Sequence, residues 1–121
     1  MHYKIHAIYV KNALKNYIWL LEDTTTQEVV VIDPTDADLV TAFCEQHQLE
    51  LKQIWLTHWH RDHTDGVHGL LAKQNILVYG PRDELSKISF ISNPLQHNDH
   101  FHFNDLKVEI IATPGHTLGH I

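Results

Sequence analysis

Ile54-Trp55-Leu56-Thr57-His58-Trp59-His60-Arg61-Asp62-His63 is a short apolar run that passes without a break into a cluster of metal-competent side chains. The run Ile54 to Thr57 predicts a buried strand. His58 and His60 are two residues apart, so in an extended segment both imidazoles project from one face and can share one ion. Asp62 and His63 are adjacent and cannot point the same way in a strand. If both are ligands, the chain turns there and the pair serves a second ion beside the first. Imidazole and carboxylate together suit zinc, iron or manganese, with no thiolate required. A lone pair of histidines would read as a solvated loop. Four such groups between positions 58 and 63, at the end of a strand, favour a metal centre.

Downstream of the cluster, Thr64 or Asp65 is expected to cap a helix whose buried stripe is Val67, Leu70 and Leu71. The start of that helix favours a negative species nearby. Gly66 allows a close backbone approach. Ile76 to Tyr79 predicts another short strand, closed by Gly80-Pro81. The segment 82–99 is mixed and polar and carries no clear element. Phe101 and Phe103 precede an Asn104-Asp105 turn, and Leu106, Val108 and Ile110 alternate with Lys107 and Glu109 in a final strand. Pro114 and Gly115 then break the chain and leave His116 at a strand end, as His58 is, where it can serve as a third imidazole for the first ion. His120 reads as a hydrogen-bonded structural residue, with a ligand role as the alternative.

Upstream, Tyr3 to Val10 predicts a first strand. Tyr17 to Leu21 and Glu28 to Asp33 flank a polar turn and read as a hairpin. Val29-Val30-Val31-Ile32 is apolar on both faces, so each side should be covered. Asp33-Pro34 ends that strand. Thr35 with Asp38 approximates a capping box, and Leu39, Val40, Phe43, Cys44 and His47 repeat at helical spacing, which predicts a helix over 36–48. Cys44 lies on the apolar stripe and reads as a packed thiol. Strands followed by alternating helices and strands make this an α/β chain.

Composition sets the outer bounds. A chain of 121 residues, 43% apolar and 20% charged, is one ordinary globular domain. Nine basic against fifteen acidic side chains give a formal charge of −6, which argues against nucleic-acid binding. No apolar run approaches a membrane span. The single cysteine excludes an internal disulfide, and the start of the chain has no signal-peptide pattern, so a cytoplasmic location is expected. The 12 histidines are unevenly placed. Outside the cluster, His68 is expected to face solvent, and His2, His6, His97, His100 and His102 to lie on the surface.

The His-x-His-x-Asp-His run, Asp33 at the end of the third strand, and Gly115-His116-Thr117-Leu118-Gly119-His120 resemble the metallo-β-lactamase superfamily. Asn16-Tyr17-Ile18-Trp19-Leu20, Val31-Ile32-Asp33-Pro34, Ile54-Trp55-Leu56-Thr57-His58 and Ala112 to Ile121 are similar to glyoxalase II, the hydroxyacylglutathione hydrolases. The resemblance implies an αββα sandwich with a two-metal site at one edge of the sheets. In that pattern His58, His60 and His116 hold the first ion, and Asp62 with His63 holds part of the second. Zinc is the first expectation for both ions, with iron or manganese as alternatives. Asp33 matches an aspartate that supports the metal loop from behind the ligands.

The implied reaction is hydrolysis of S-(2-hydroxyacyl)glutathione to a 2-hydroxy acid and glutathione by a metal-bound hydroxide. Asp62, the one catalytic residue expected, holds the second ion and helps to orient the nucleophile. Other readings are another hydrolase or a persulfide dioxygenase of the superfamily, or a non-catalytic fragment that binds one ion. The family places a bridging aspartate, a further histidine and the glutathione-binding region after the Gly-His-Thr-x-Gly-His motif. Residues 1–121 are therefore expected to be the N-terminal half of such a domain, with an incomplete second site. Half a sandwich would expose an apolar face, the runs at 17–21 and 28–33 above all, and self-association through that face is expected.

Overall fold

Val29, Val30 and Val31 are all fully buried, because the strand that carries them is covered on both faces. The computed structural model describes residues 2–10, 16–60, 64–72 and 76–121. Strands β1 (Tyr3–Tyr9), β2 (Tyr17–Asp23), β3 (Glu28–Ile32), β4 (Glu50–Trp55), β5 (Leu77–Pro81) and β6 (Asn93–Leu95) form one sheet in that spatial order. The first three are antiparallel, with Ile5 opposite Leu21 and Trp19 opposite Ile32. From β3 to β6 the pairing is parallel, with Ile32 opposite Trp55 and Trp55 opposite Tyr79. Strands β7 (His100–Phe103) and β8 (Leu106–Glu109) form a separate hairpin.

The hairpin expected from the two apolar runs is the β2–β3 pair, and its tight turn puts Gln27 at a φ of 61°. The expected helix is α1 (Ala37–His47), one residue shorter at each end. Its cap is Asp36 rather than Thr35: the Asp36 carboxylate accepts from the backbone N–H groups of Asp38 and Leu39. Val40 and Cys44 face the core, and burial pushes the Cys44 thiol from an ordinary 9.0 up to about 11, as a packed thiol requires. Helix α2 (Val67–Leu71) has Gly66 at its start and no side-chain cap, so neither Thr64 nor Asp65 plays the part expected of it. What fixes that start is a backbone contact, in which Gly66 N donates to Pro34 O at 2.8 Å.

Other boundaries also differ from expectation. Strand β4 begins at Glu50 and ends at Trp55, so Leu56 and Thr57 lead out of the sheet towards His58. Strand β5 runs through Gly80 and Pro81 because β6 pairs with both; a proline at a strand end needs no N–H for the ladder. The polar segment after it holds a 3-10 turn at Arg82–Glu84 and the short β6, neither of which has enough apolar alternation to be read from sequence.

Helices α1 and α2 cover one face of the sheet. Ile18, Leu20, Val29, Val31, Ile54 and Val78 from the strands meet Val40, Val67 and Leu70 there. The β7–β8 hairpin covers part of the other face, where Phe101 stacks on Tyr79 with ring centroids 4.2 Å apart and Phe103 meets the Trp55 ring edge-on. The Asn104 amide fastens the hairpin turn by donating to Asp23 and Glu28. The rest of that face is open: Ile5 is 69% and Trp19 46% exposed. No helix of the described residues is long and apolar enough to cross a membrane.

Candidate metal centre

The site is built where the parallel strands β3 and β4 end side by side. Asp33 follows β3 in a left-handed turn (φ 51°), a conformation that aspartate tolerates better than most residues. There its carboxylate accepts from both the backbone N–H and the hydroxyl of Thr57, at 2.9 and 2.7 Å. The single hydroxyl proton of Thr57 is thereby committed to Asp33. Thr57 Oγ1 also lies 2.7 Å from His58 Nδ1, so it must accept from an Nδ1–H. His58 is thus held as the tautomer whose Nε2 carries the lone pair, the form a metal ligand needs. The supporting role expected for Asp33 has this geometry.

His58 is buried, His60 half-buried and His116 exposed, and one nitrogen from each lies within 4.8 Å of the other two. His60 Nδ1 and His116 Nε2 are 2.9 Å apart. A tetrahedral zinc with bonds of about 2.0–2.1 Å separates neighbouring nitrogens by about 3.3 Å, so the cluster is already close to the size of an ion's coordination sphere. Three neutral imidazoles that leave a position open are also the donor set of catalytic zinc sites. The residues present fit a divalent ion.

The structure therefore brings together the three histidines expected for the first ion. Asp62 and His63, expected for the second, lie outside the described residues. His120 is not among the converging nitrogens; its Nδ1 is 2.8 Å from Thr113 Oγ1, which closes the loop that carries His116 and matches the structural reading. His68, His97, His100 and His102 are exposed, as expected. His6 is a correction: it is half-buried, 2.7 Å from Glu22 Oε1, with its ring against Phe43. His2 is also only partly exposed, and sits 3.1 Å from Asp105 Oδ1. With Asp23 the two form a second group of ligand atoms on the other side of the molecule.

Sequence reasoning missed Glu84. It is buried, in the 3-10 turn of the segment that carried no clear element, and its carboxylate accepts from Trp59 N at 2.8 Å and Gly119 N at 2.9 Å. An acidic residue among Arg82, Asp83 and Lys87 has no sequence signal that separates it from a solvated charge. Beside it, a cleft of about 290 Å³ is lined by Trp59, His60, Asp83, Lys87, His116 and Leu118. The Lys87 ammonium stands over the Trp59 ring, 4.3 Å from its centroid.

Among solved structures, a metallo-β-lactamase from Staphylococcus aureus subsp. aureus COL superposes with a TM-score of 0.82 over 99% of this chain and 36% of its own, at 23% identity. The chain has the metallo-β-lactamase fold. The same fold is seen in ETHE1 from Myxococcus xanthus, with a TM-score of 0.82, 24% identity, and coverage of 97% of this chain and 51% of the other. In sequence the chain is similar to the hydroxyacylglutathione hydrolase of Marinomonas sp. (strain MWYL1), with 39% identity over 106 residues, 88% of this chain and 40% of that protein. The chain thus spans about two-fifths of the length of that relative. No family model matches it. His116 lies in a loop seven residues past the end of β8, not at the strand end expected for it, and a metallo-β-lactamase fold in which it converges with His58 and His60 is a structure suited to bind a divalent metal.

Proposed function

We propose that this metallo-β-lactamase-fold chain carries the first metal site of a glyoxalase II-type thioester hydrolase, which cleaves S-(2-hydroxyacyl)glutathione to a 2-hydroxy acid and glutathione. The observation that carries the reading is the Asp33–Thr57–His58 chain of hydrogen bonds, which prepares one imidazole for a metal within 4.8 Å of two others. Similarity to hydroxyacylglutathione hydrolases supports the choice of substrate.

His58 Nε2, His60 Nδ1 and His116 Nε2 would hold the first ion, zinc before iron or manganese. Asp62 and His63 would supply ligands for a second, with Asp62 also helping to orient the attacking water. Bound divalent ions supply Lewis acidity towards the thioester carbonyl and lower the pKa of water to about 7. Asp33 and Thr57 keep His58 in one tautomer and one orientation. Trp59 gives the neighbouring cleft an aromatic wall with the Lys87 ammonium over it. No serine or cysteine nucleophile is required; the one cysteine is in the core.

The test is metal content per chain alongside hydrolysis of S-lactoylglutathione, with His58→Ala as the control. Two equivalents of metal and an activity that disappears in the variant are the result expected where a partner chain or further sequence supplies the remaining ligands of the second ion. One equivalent with no turnover would instead assign the chain as a metal-binding unit without the hydrolase chemistry.

A further inference from the structure

We infer that Glu84 is a positioning residue of the metal centre, whose carboxylate sets the distance between the loop of His58 and His60 and the loop of His116. This rests on the reading of those three histidines as ligands. Each Glu84 oxygen takes one backbone N–H, and the two N–H groups belong to the two ligand loops. Trp59 is the residue between His58 and His60, so fixing its N–H fixes the peptide between two ligands. Gly119 lies three residues after His116 in a loop closed at its other end by Thr113 and His120.

The clamp is itself anchored. The Glu84 carbonyl accepts from Lys87 N and Ile88 N, both at 3.0 Å, and Ile88 is a core residue only 1% exposed. The fit at the far end is tight, because a Cβ at position 119 would stand 2.5 Å from Glu84 Cγ. Only glycine lets that N–H reach the carboxylate. The loops are also tied by Ile121 N, which donates to Thr57 O at 3.0 Å on the far side of His58 from Trp59, and by the His60–His116 contact. A buried carboxylate costs more to desolvate than an amide would. What the charge adds is a negative group behind a cluster of neutral imidazoles, which favours a divalent cation there.

Glu84→Gln tests this. An amide has one oxygen acceptor, and its NH2 group meets an N–H, so one loop must be released. The readouts are the Co2+ dissociation constant by chelator competition, the d–d absorption of bound Co2+, and amide hydrogen exchange at Trp59 and Gly119 in the metal-free protein. The expected result is a roughly 10–100-fold weaker Co2+ affinity with an altered d–d band, and faster exchange at one of the two amides. If Glu84→Gln does not fold, Gly119→Ala displaces one loop while keeping the carboxylate, and should weaken Co2+ in the same way. Wild-type affinity and an unchanged spectrum in the folded variant would overturn the inference while leaving the ligand set intact. Absence of Co2+ binding by the wild type, or binding that survives His58→Ala, would overturn the ligand set and the inference together.

Discussion

His60 Nδ1 and His116 Nε2 lie 2.9 Å apart although 56 residues separate them in sequence. The loop after β4 delivers the first and a loop between Thr113 and His120 delivers the second, so the pair brings two distant parts of the chain to one ligand set. His116→Ala should therefore weaken Zn2+ or Co2+ binding by more than the roughly 10–100-fold expected for a supporting residue. His120→Ala, which removes a ring tied to Thr113 and not among the converging nitrogens, should cost much less. Isothermal titration of the two variants decides the point. Equal losses would mean that His120 is a ligand.

Thr57→Val isolates the hydroxyl that joins Asp33 to His58. The backbone N–H of position 57 still reaches Asp33, but the hydroxyl that accepts from His58 Nδ1 is gone. A drop in metal affinity of roughly 10–100-fold is expected, with little change in thermal stability. Asp33→Asn should act in the same direction, and asparagine tolerates the left-handed backbone of this position. Metal titration with a melting curve on the same samples separates ligand support from folding. A large fall in Tm with unchanged affinity would assign Asp33 and Thr57 to the fold alone.

Gly66→Ala should be costly although it adds one methyl. The new Cβ would stand 2.5 Å from Pro34 O and 2.9 Å from Ala37 N, both backbone atoms that cannot step aside. The contact joins the start of α2 to the turn after β3, so the strain falls beside Asp33. Overpacking of this kind costs about 1–3 kcal/mol, visible as a lower urea midpoint with an unchanged slope. Unchanged stability would mean that the two loops separate easily and that Asp33 is not rigidly held.

Why the sequence showed so much of this site, and where it fell short, follows from the same contacts. His58 and His60 were legible because residues two apart at a strand end share a face. His116 was legible because Pro114 and Gly115 break the chain just before it. The cap of α1 was misplaced by one residue, since Thr35 and Asp36 both have side chains fit to cap and only the turn after Pro34 decides between them. The strand β6 and Glu84 were not legible. Asn93-Pro94-Leu95 is a strand only because β5 offers it an edge, and Glu84 differs from the exposed Asp83 beside it only by which way the 3-10 turn faces. His6 was read as a surface residue because nothing local shows that Glu22 and Phe43 close over it.

The last prediction concerns acid. Asp23 is buried at the end of β2, and hydrogen bonding from the Thr25 hydroxyl first, then from the Asn104 amide, lowers its pKa from an ordinary 3.8 to about 2, against a desolvation effect that would raise it. A carboxyl whose pKa is lower in the folded state contributes stability above pH 3.8, and that contribution is lost as the pH falls towards 2. Because Asn104 is the turn of the β7–β8 hairpin, protonating Asp23 also loosens the cover over Trp55 and Tyr79. Asp23→Asn should therefore flatten the fall in Tm between pH 3.8 and about 2, and should lower Tm at neutral pH. Asn104→Ala should weaken the hairpin at every pH and leave part of the acid dependence, since the Thr25 bonds to Asp23 remain. Melting curves for the three proteins across that range test the assignment, and an Asp23→Asn profile parallel to that of the wild type would place the acid sensitivity in another carboxylate.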